Sequence, residues 1–284
     1  MEHSEKGRRD FLKSLALGAA GAAMLAPQTA RAAEAGTLQV WSCGGLAEAM
    51  MPAHAAYEQQ SGVKVVYTGA FAAALGKSLL TGGGQTEVFA GRVLALAQNL
   101  RKSGKMVNFR PLCFTSYVVA VPKGNPAKIA SIEDLTRPGV RVAMALEASA
   151  PGGQAVMGIL KAADITAKVL ANVRAQGSCV QRSVADVTEG KADAMIVERR
   201  ITRMTRFADH LEYVEIPERF FPAGPLTFTV GMMANAADPA RATAYMDWIT
   251  SAQGQAYFEA AGFIPAISPK GMELVEKLGV KDVA

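Results

Sequence analysis

Short apolar runs alternate along the chain with segments in which apolar residues recur every three or four positions. The runs are rich in β-branched residues and predict buried strands, whereas the spaced segments predict amphipathic helices. The expected strands cover residues 37–42, 63–68, 88–90, 116–121, 140–145, 194–197, 211–216 and 226–233. The expected helices cover residues 46–60, 71–80, 93–102, 151–163, 180–189, 239–250 and 253–261. Ser131, with Asp134 three residues later, predicts one further helix start.

This alternation is typical of α/β folds in which helices cover both faces of mainly parallel sheets. Ligands of such folds bind at the carboxyl ends of the strands, often against helix N-termini. The candidate binding loops are therefore those at residues 43–45, 69–74, 150–153 and 178–180.

The N-terminus has the pattern of an export signal. Arg8 and Arg9 form a twin-arginine pair, an apolar run follows at residues 15–27, and residues 30–32 (Ala-Arg-Ala) form a small-x-small cleavage site. The run is shorter than the roughly 20 residues that span a bilayer. We therefore expect residues 1–32 to be removed after export by the twin-arginine route, which carries folded proteins, and the mature protein to be periplasmic.

Removal of this signal leaves 252 of the 284 residues, with a net charge of +3. That length suffices for two lobes, and no second apolar run is long enough to cross a membrane, so we expect a soluble protein. The mild charge and the low aromatic content give no nucleic-acid site. Neither a catalytic constellation nor a cofactor motif occurs, so the sequence predicts no enzyme. Arg199, Arg203 and Arg206 share a helical face, which suits a docking patch, an anion contact or a solvated surface.

Three cysteines remain in the mature chain: Cys43, Cys113 and Cys179. An odd number leaves at least one thiol unpaired in the monomer. Cys43 lies on a glycine loop after the first strand, a position that favours a functional role, whereas Cys113 taken alone is typical of a buried structural cysteine. A disulfide between two of them, controlled by lobe closure, is a further alternative.

Five segments in a characteristic order and spacing resemble a known family. They are residues 62–66 (Gly-Val-Lys-Val-Val), 87–90 (Glu-Val-Phe-Ala), 117–126, 189–194 (Glu-Gly-Lys-Ala-Asp-Ala) and 261–263 (Ala-Gly-Phe). Over roughly residues 36–268 the chain resembles the periplasmic solute-binding proteins of ABC transporters, in particular those that bind molybdate or tungstate.

This resemblance implies a two-lobed periplasmic binding protein of type II, in which two α/β lobes joined by hinge strands close over a small inorganic ligand. Lobe I would comprise residues 33–114 and 222–284, and lobe II residues 115–221. The implied partner is an ABC transporter permease or a membrane sensor kinase, and the implied state is a monomer.

The resemblance also implies ligand-binding positions, which fall at Cys43, Gly44, Ala72, Gly152, Cys179, Val180 and Glu198. The backbone donors of the family are retained, but its hydroxyl groups are replaced by Cys43, Ala72 and Glu198. A carboxylate that faces a dianion in a closed cleft is repelled unless it is protonated or paired.

Cys43 and Cys179 are expected on cleft-facing loops of opposite lobes, with Cys113 at the hinge. Three converging thiols would hold a thiophilic metalloid or metal, and arsenite is the specific prediction; Glu198 would be the fourth ligand of Zn(II). The alternative is a conventional molybdate- or tungstate-like oxyanion held by backbone donors. A second alternative is a thiol redox enzyme, although no general base accompanies any cysteine.

Overall fold

The computed structural model describes residues 36–222 and 226–282. The expected export signal at residues 1–32 lies outside these ranges. Residues Ala35–Ala284 form one compact unit. Among the described helices, none combines the length and the apolar character that crossing a bilayer requires.

Eleven strands and eleven helices alternate over the described residues. The strands are β1 (Thr37–Cys43), β2 (Lys64–Ala70), β3 (Val88–Arg92), β4 (Met106–Phe114), β5 (Tyr117–Pro122), β6 (Val142–Met144), β7 (Val173–Gln176), β8 (Ala194–Glu198), β9 (Leu211–Glu215), β10 (Thr227–Met233) and β11 (Ile264–Pro265). The helices are α1 (Ala47–Ser61), α2 (Ala72–Thr81), α3 (Leu94–Lys102), α4 (Ala150–Ala162), α5 (Thr166–Ala171), α6 (Val180–Thr188), α7 (Arg199–Thr202), α8 (Thr205–Ala208), α9 (Pro239–Ile249), α10 (Ala252–Ala260) and α11 (Pro269–Leu278).

Two sheets organise these elements into two lobes, as the sequence predicted. The first sheet has the strand order β11-β4-β10-β3-β1-β2, and the second has the order β7-β6-β8-β5-β9. The lobe limits proposed from the sequence, at residues 114 and 222, stay a prediction.

Both sheets are mixed, so parallel pairing is less dominant than expected. β1 pairs in parallel with β2 and β3, and β6 with β7 and β8. β10 and β5 each pair antiparallel with both of their neighbours. The reason lies in the chain path. β4 leaves the first sheet towards the second, and β10 comes back from it, so β10 runs opposite to β4.

The central strands are apolar throughout because helices cover both of their faces. In β5, Tyr117 and Val119 pack into one core of the second lobe, and Val118 and Ala120 pack into the core on the opposite face. This burial on both sides explains why residues 117–121 read as a continuous apolar run rather than an alternating one.

Several elements were absent from the sequence prediction: β4, α5, β7, β11 and α11. In β4, the polar residues Asn108 and Arg110 and the ring of Pro111 interrupt the apolar pattern. The strand nevertheless forms because it pairs with β10, which is buried along its whole length. In contrast, the helix start expected at Ser131 is confirmed, with a reciprocal capping box between Ser131 and Asp134 that opens a 3₁₀ turn.

Candidate functional site

A small cavity lies where β6 and β8 of the second lobe end and α4 and α6 begin, and Arg92 of the first lobe also lines it. Its volume is about 60 Å³. Such a volume holds a few water-sized molecules, since one ordered water needs about 10–15 Å³. It is far below the roughly 300–1,000 Å³ typical of sites for organic ligands. Polar groups reach it from Arg92, Tyr117, Ser149, Gly152, Glu198 and Arg200.

Two helix N-termini border this cavity. Ser149 and Cys179 are the N-cap residues of α4 and α6, and neither side chain caps its helix. Gly152 and Val180, in the first turns of these helices, line the cavity. First-turn N–H groups have no partner inside the helix and carry partial positive charge, so such termini suit an anion.

The start of α4 depends on a glycine. A Cβ on Gly153 would lie 2.1 Å from the carbonyl oxygen of Leu146, so only glycine lets this loop approach the helix. The Gly153 N–H donates to the Ser149 carbonyl at 2.8 Å and forms the first turn. The loop after β6 is thereby fixed beside the cavity.

A chain of ion pairs borders the same cavity. The Glu198 carboxylate accepts from Arg92 Nη1 at 2.5 Å and from Arg200 Nε at 2.6 Å. Tyr117 completes the array, because its hydroxyl accepts from Arg92 Nη2 at 2.9 Å and donates to Glu198 Oε1 at 3.2 Å. Arg200 Nη1 also pairs with Glu48 Oε2 at 3.2 Å. We call Arg92, Tyr117, Glu198 and Arg200 the ionic cluster.

The ionic cluster joins the two lobes. Arg92 ends β3, and Glu48 lies in the first turn of α1, both in the first lobe. Tyr117 and Glu198 face each other across the β5–β8 pair of the second lobe, and Arg200 follows in α7. The side chains of Arg92 and Glu198 are only 4% and 8% exposed, so the contact between lobes is a buried one.

The buried carboxyl of Glu198 remains ionised. Burial alone would raise its pKa, but the guanidinium groups of Arg92 and Arg200 outweigh this and lower the pKa to about 2. Burial raises the pKa of the Tyr117 hydroxyl, and the neighbouring Glu198 raises it further, so this hydroxyl stays protonated and donates. The sequence predicted a carboxylate that repels a dianion unless it is paired, and here it is paired twice.

The structure gives no support to the predicted metal site at Cys43, Cys113 and Cys179, which stays a prediction: Cys43 and Cys113 lie close enough for their charges to interact, but Cys179 is exposed to solvent. No group of three His, Cys, Asp or Glu side chains within the described ranges is arranged to hold a metal ion. Cys113 is fully buried in the core of the first lobe, and burial raises its pKa well above the usual value. Cys179 is exposed to solvent, and all three thiols are free, so the disulfide alternative is not realised.

The charge of Glu198 acts on Cys113 as well as on Cys43, so both thiols lie near the ionic cluster. Cys43 is 8% exposed, and the charges of Arg92 and Arg200 also act on its thiol. Burial nevertheless raises its pKa, although a backbone hydrogen bond from Gly45 and the two arginines partly offset this. A buried thiol that stays protonated is a poor metal ligand and a poor nucleophile.

The predicted ligand positions divide into two groups. Gly152, Val180 and Glu198 line the cavity. Cys43, Gly44, Ala72 and Cys179 are not among the described residues that do so. Both carboxylate oxygens of Glu198 are bound by arginines. The roles of these positions in binding stay predictions.

The sequence analysis missed Arg92, Tyr117, Ser149 and Arg200. The available signal was Arg92, a charged residue that directly follows the four apolar residues of a buried strand. Of the arginines near residue 200, the pattern singled out Arg199, Arg203 and Arg206, whereas the side chain at the cavity is that of Arg200.

Comparisons with known proteins agree with this geometry. A family model described as bacterial extracellular solute-binding protein matches residues 38–264. The molybdate-binding proteins ModA of Mycobacterium bovis and Mycobacterium tuberculosis are 29% identical to the chain over 191 residues, which cover 65% of this chain and 67% of theirs.

Solved structures share the fold. A substrate-binding domain assigned to a molybdenum ABC transporter of Clostridium difficile superposes with a TM-score of 0.69 at 20% identity, covering 81% of this chain and 99% of that one. The periplasmic molybdate-binding protein of Azotobacter vinelandii gives a TM-score of 0.62 at 15% identity, covering 80% and 98%. The sulfate-binding protein SubI of Mycobacterium tuberculosis gives 0.61 at 18% identity, covering 85% and 91%.

Proposed function

We propose that this chain, which belongs to the family of bacterial extracellular solute-binding proteins, captures a small oxyanion between its lobes and delivers it to the permease of an ABC importer. The observation that carries the proposal is the small cavity bordered by two helix N-termini and two arginines. We propose that the protein acts as a monomer in the periplasm and that the twin-arginine route exports it there.

The size of the cavity favours an inorganic ion over an organic solute. About 60 Å³ is too little for a sugar, an amino acid or a peptide. A compact tetrahedral or trigonal oxyanion presents oxygens in several directions, and backbone N–H groups and guanidinium groups suit such oxygens. Relatives that bind molybdate, and a neighbour in fold that binds sulfate, support the same ligand class.

A thiophilic ligand has less support. It would require deprotonated thiols that meet at one point, but Cys113 is buried in the first-lobe core and Cys179 faces solvent. The oxyanion alternative needs only groups that already border the cavity.

Calorimetric titration of the purified protein tests the proposal. The panel is molybdate, tungstate, sulfate, phosphate, perrhenate and nitrate, with arsenite and Zn(II) as thiophilic comparisons. We expect saturable binding of at least one oxyanion and unchanged binding of it in Cys43→Ala. Binding of arsenite alone, lost in Cys43→Ala, would overturn the proposal, and so would binding of no oxyanion at all.

Gly152→Ala provides a steric test of the site. A Cβ here would lie 3.5 Å from the Ser149 side chain and 4.0 Å from the Tyr117 hydroxyl, which are ordinary contacts beside the cavity. We therefore expect a folded protein with weaker oxyanion binding. Gly83→Ala is the matched control, because the nearest atoms to its Cβ are 3.8 Å away in a first-lobe loop outside the cavity. Equal affinities of the two variants would contradict this location of the site.

A further inference from the structure

The Glu198 carboxylate already neutralises part of the positive charge beside the cavity. One oxygen is bound by Arg92 and Tyr117, and the other is bound by Arg200. Of the two positive charges that the arginines bring to this place, one is therefore neutralised by a side chain of the protein itself.

Three further groups contribute charge around the cavity: Glu48 and the N-termini of α4 and α6. Arg200 also pairs with Glu48, whose side chain is 29% exposed and therefore partly screened by solvent. The N-termini of α4 and α6 each contribute about half a positive charge. With Glu198 ionised, the surroundings of the cavity carry between about one and about two uncompensated positive charges, according to how far solvent screens Glu48, and without the Glu198 charge they would carry one more.

We propose that Glu198 acts as a built-in anion that sets the charge of the solute, so that the cavity takes singly charged oxyanions in preference to doubly charged ones of the same shape. This inference rests on the proposed oxyanion function and narrows its ligand class. A second negative charge on the solute would face the Glu198 carboxylate at close range, within a largely buried site where the repulsion between like charges is only weakly screened.

A doubly charged solute would have to displace Glu198 from its arginines. That movement would break three hydrogen-bonded contacts, to Arg92, Arg200 and Tyr117, and leave a buried carboxylate without a partner. A singly charged solute needs no such movement, because it can bind beside the intact ionic cluster. The geometry therefore distinguishes the two charge classes.

Perrhenate and tungstate are the probes, since both are tetrahedral tetraoxoanions of similar size that carry one and two negative charges. Calorimetric competition at neutral pH and fixed ionic strength gives their affinity ratio. We expect wild-type protein to bind perrhenate more tightly. Glu198→Gln keeps the shape of the side chain and removes its charge, so the ratio should shift towards tungstate by at least about tenfold.

Glu48→Gln is the matched control. This variant removes the negative charge of Glu48, which also pairs with Arg200. Glu48 is more exposed than Glu198 and does not line the cavity. We expect the ratio of perrhenate to tungstate affinity in Glu48→Gln to differ from the wild-type ratio by less than about threefold, because solvent screens the Glu48 charge. The wild-type ratio alone remains decisive if the Glu198→Gln protein does not fold.

The outcomes separate this inference from the function on which it rests. Tighter binding of tungstate than of perrhenate by the wild type would overturn the charge preference and leave the oxyanion function standing. An equal shift in Glu198→Gln and Glu48→Gln would also overturn it, because the effect would then not belong to the buried carboxylate. If no oxyanion of the panel binds at all, both proposals fall together.

Discussion

Glu198 carries a buried negative charge whose two oxygens are both bound by arginines. The desolvation of such a group is costly, and the arginines offset that cost only while the array is complete. Removal of one partner weakens the compensation of the charges that stay buried. We therefore regard the ionic cluster as a feature that specifies one arrangement of the site rather than as a simple source of stability.

The cluster makes stability depend on pH in acid. The pKa of Glu198 falls from 4.5 in the unfolded chain to about 2 in the folded protein, so its contribution is fully present above about pH 5 and is lost as the pH falls towards 2. The expected loss across this window is about 3 kcal/mol. Denaturant unfolding at a series of pH values measures it.

Glu198→Gln is the comparison for this measurement, because the part of the acid dependence due to Glu198 should be absent in it, whereas the part due to Asp134 and Asp193, whose pKa values are also lowered by their hydrogen bonds, should remain. His54 acts in a different window. Burial lowers its pKa from 6.5 to about 4, so its contribution to stability is lost as the pH falls from about 6.5 to 4 and persists in the variant. An unchanged slope below pH 4 in Glu198→Gln would show that another carboxyl group is responsible.

At the scale of single elements, α4 places two adjacent glycines in different surroundings. Gly152 has room for a methyl group beside the cavity, whereas a Cβ on Gly153 would collide with the Leu146 carbonyl. Substitutions at these two positions can therefore distinguish an effect on ligand binding from an effect on stability within one helical turn.

We expect Gly153→Ala to destabilise the fold by about 1–3 kcal/mol, because the loop after β6 must move away from the helix. Gly152→Ala should keep its stability within about 1 kcal/mol and lose affinity instead. Thermal unfolding and calorimetry of both variants check this pair of outcomes. A stable Gly153→Ala protein with full affinity would mean that the loop adjusts freely.

Strand pairing explains how the other side of the site is built. Tyr117 lies opposite Glu198 in the antiparallel β5–β8 pair, so the sheet register itself brings the phenol to the carboxylate. Arg92 reaches the same point from β3 of the other sheet. The cluster therefore depends on two independent registers as well as on lobe closure.

At the scale of the whole molecule, the ionic cluster links the two lobes. Arg92 and Glu48 of the first lobe pair with Glu198 and Arg200 of the second. Arg200 also reaches the first glycine loop, since a Cβ on Gly45 would lie 3.4 Å from its guanidinium. Side chains of the protein itself therefore hold the two lobes together.

Loss of Arg200 should open the molecule. Arg200→Gln removes the contacts with both Glu198 and Glu48 and leaves Glu198 with Arg92 as its remaining cation. We expect a larger radius of gyration in small-angle X-ray scattering of the ligand-free protein, together with a loss of about 3–5 kcal/mol in stability.

Arg199→Gln is the matched control for this opening. Arg199 pairs with Glu215, the last residue of β9, and with the hydroxyl of Ser116, which directly precedes β5, so both partners belong to the second sheet rather than the first. Its loss should leave the scattering profile unchanged. Equal profiles for wild type and Arg200→Gln would contradict a role of Arg200 in closure.

The sequence by itself determined the succession of elements. Apolar runs and helical spacing placed most strands and helices within a few residues, since local periodicity reflects which faces are buried. Strand β4 was not predicted because Asn108, Arg110 and Pro111 interrupt its apolar pattern. It forms a strand because it pairs with β10. The loops that hold Gly152 and Val180 were also predictable, because helix N-termini after strands are general binding positions.

Only the tertiary structure decided which charges meet. Glu198 was predictable as a site residue, but its partners Arg92 and Arg200 were not, because one lies more than a hundred positions away and the other belongs to a short helix. The same holds for the cysteines: Cys43 and Cys113 share the first-lobe core, whereas Cys179 is exposed at the start of α6, and no local pattern encoded this separation. Periodicity records the burial of each segment, whereas the contacts between segments depend on sheet register and lobe packing, which no local pattern encodes.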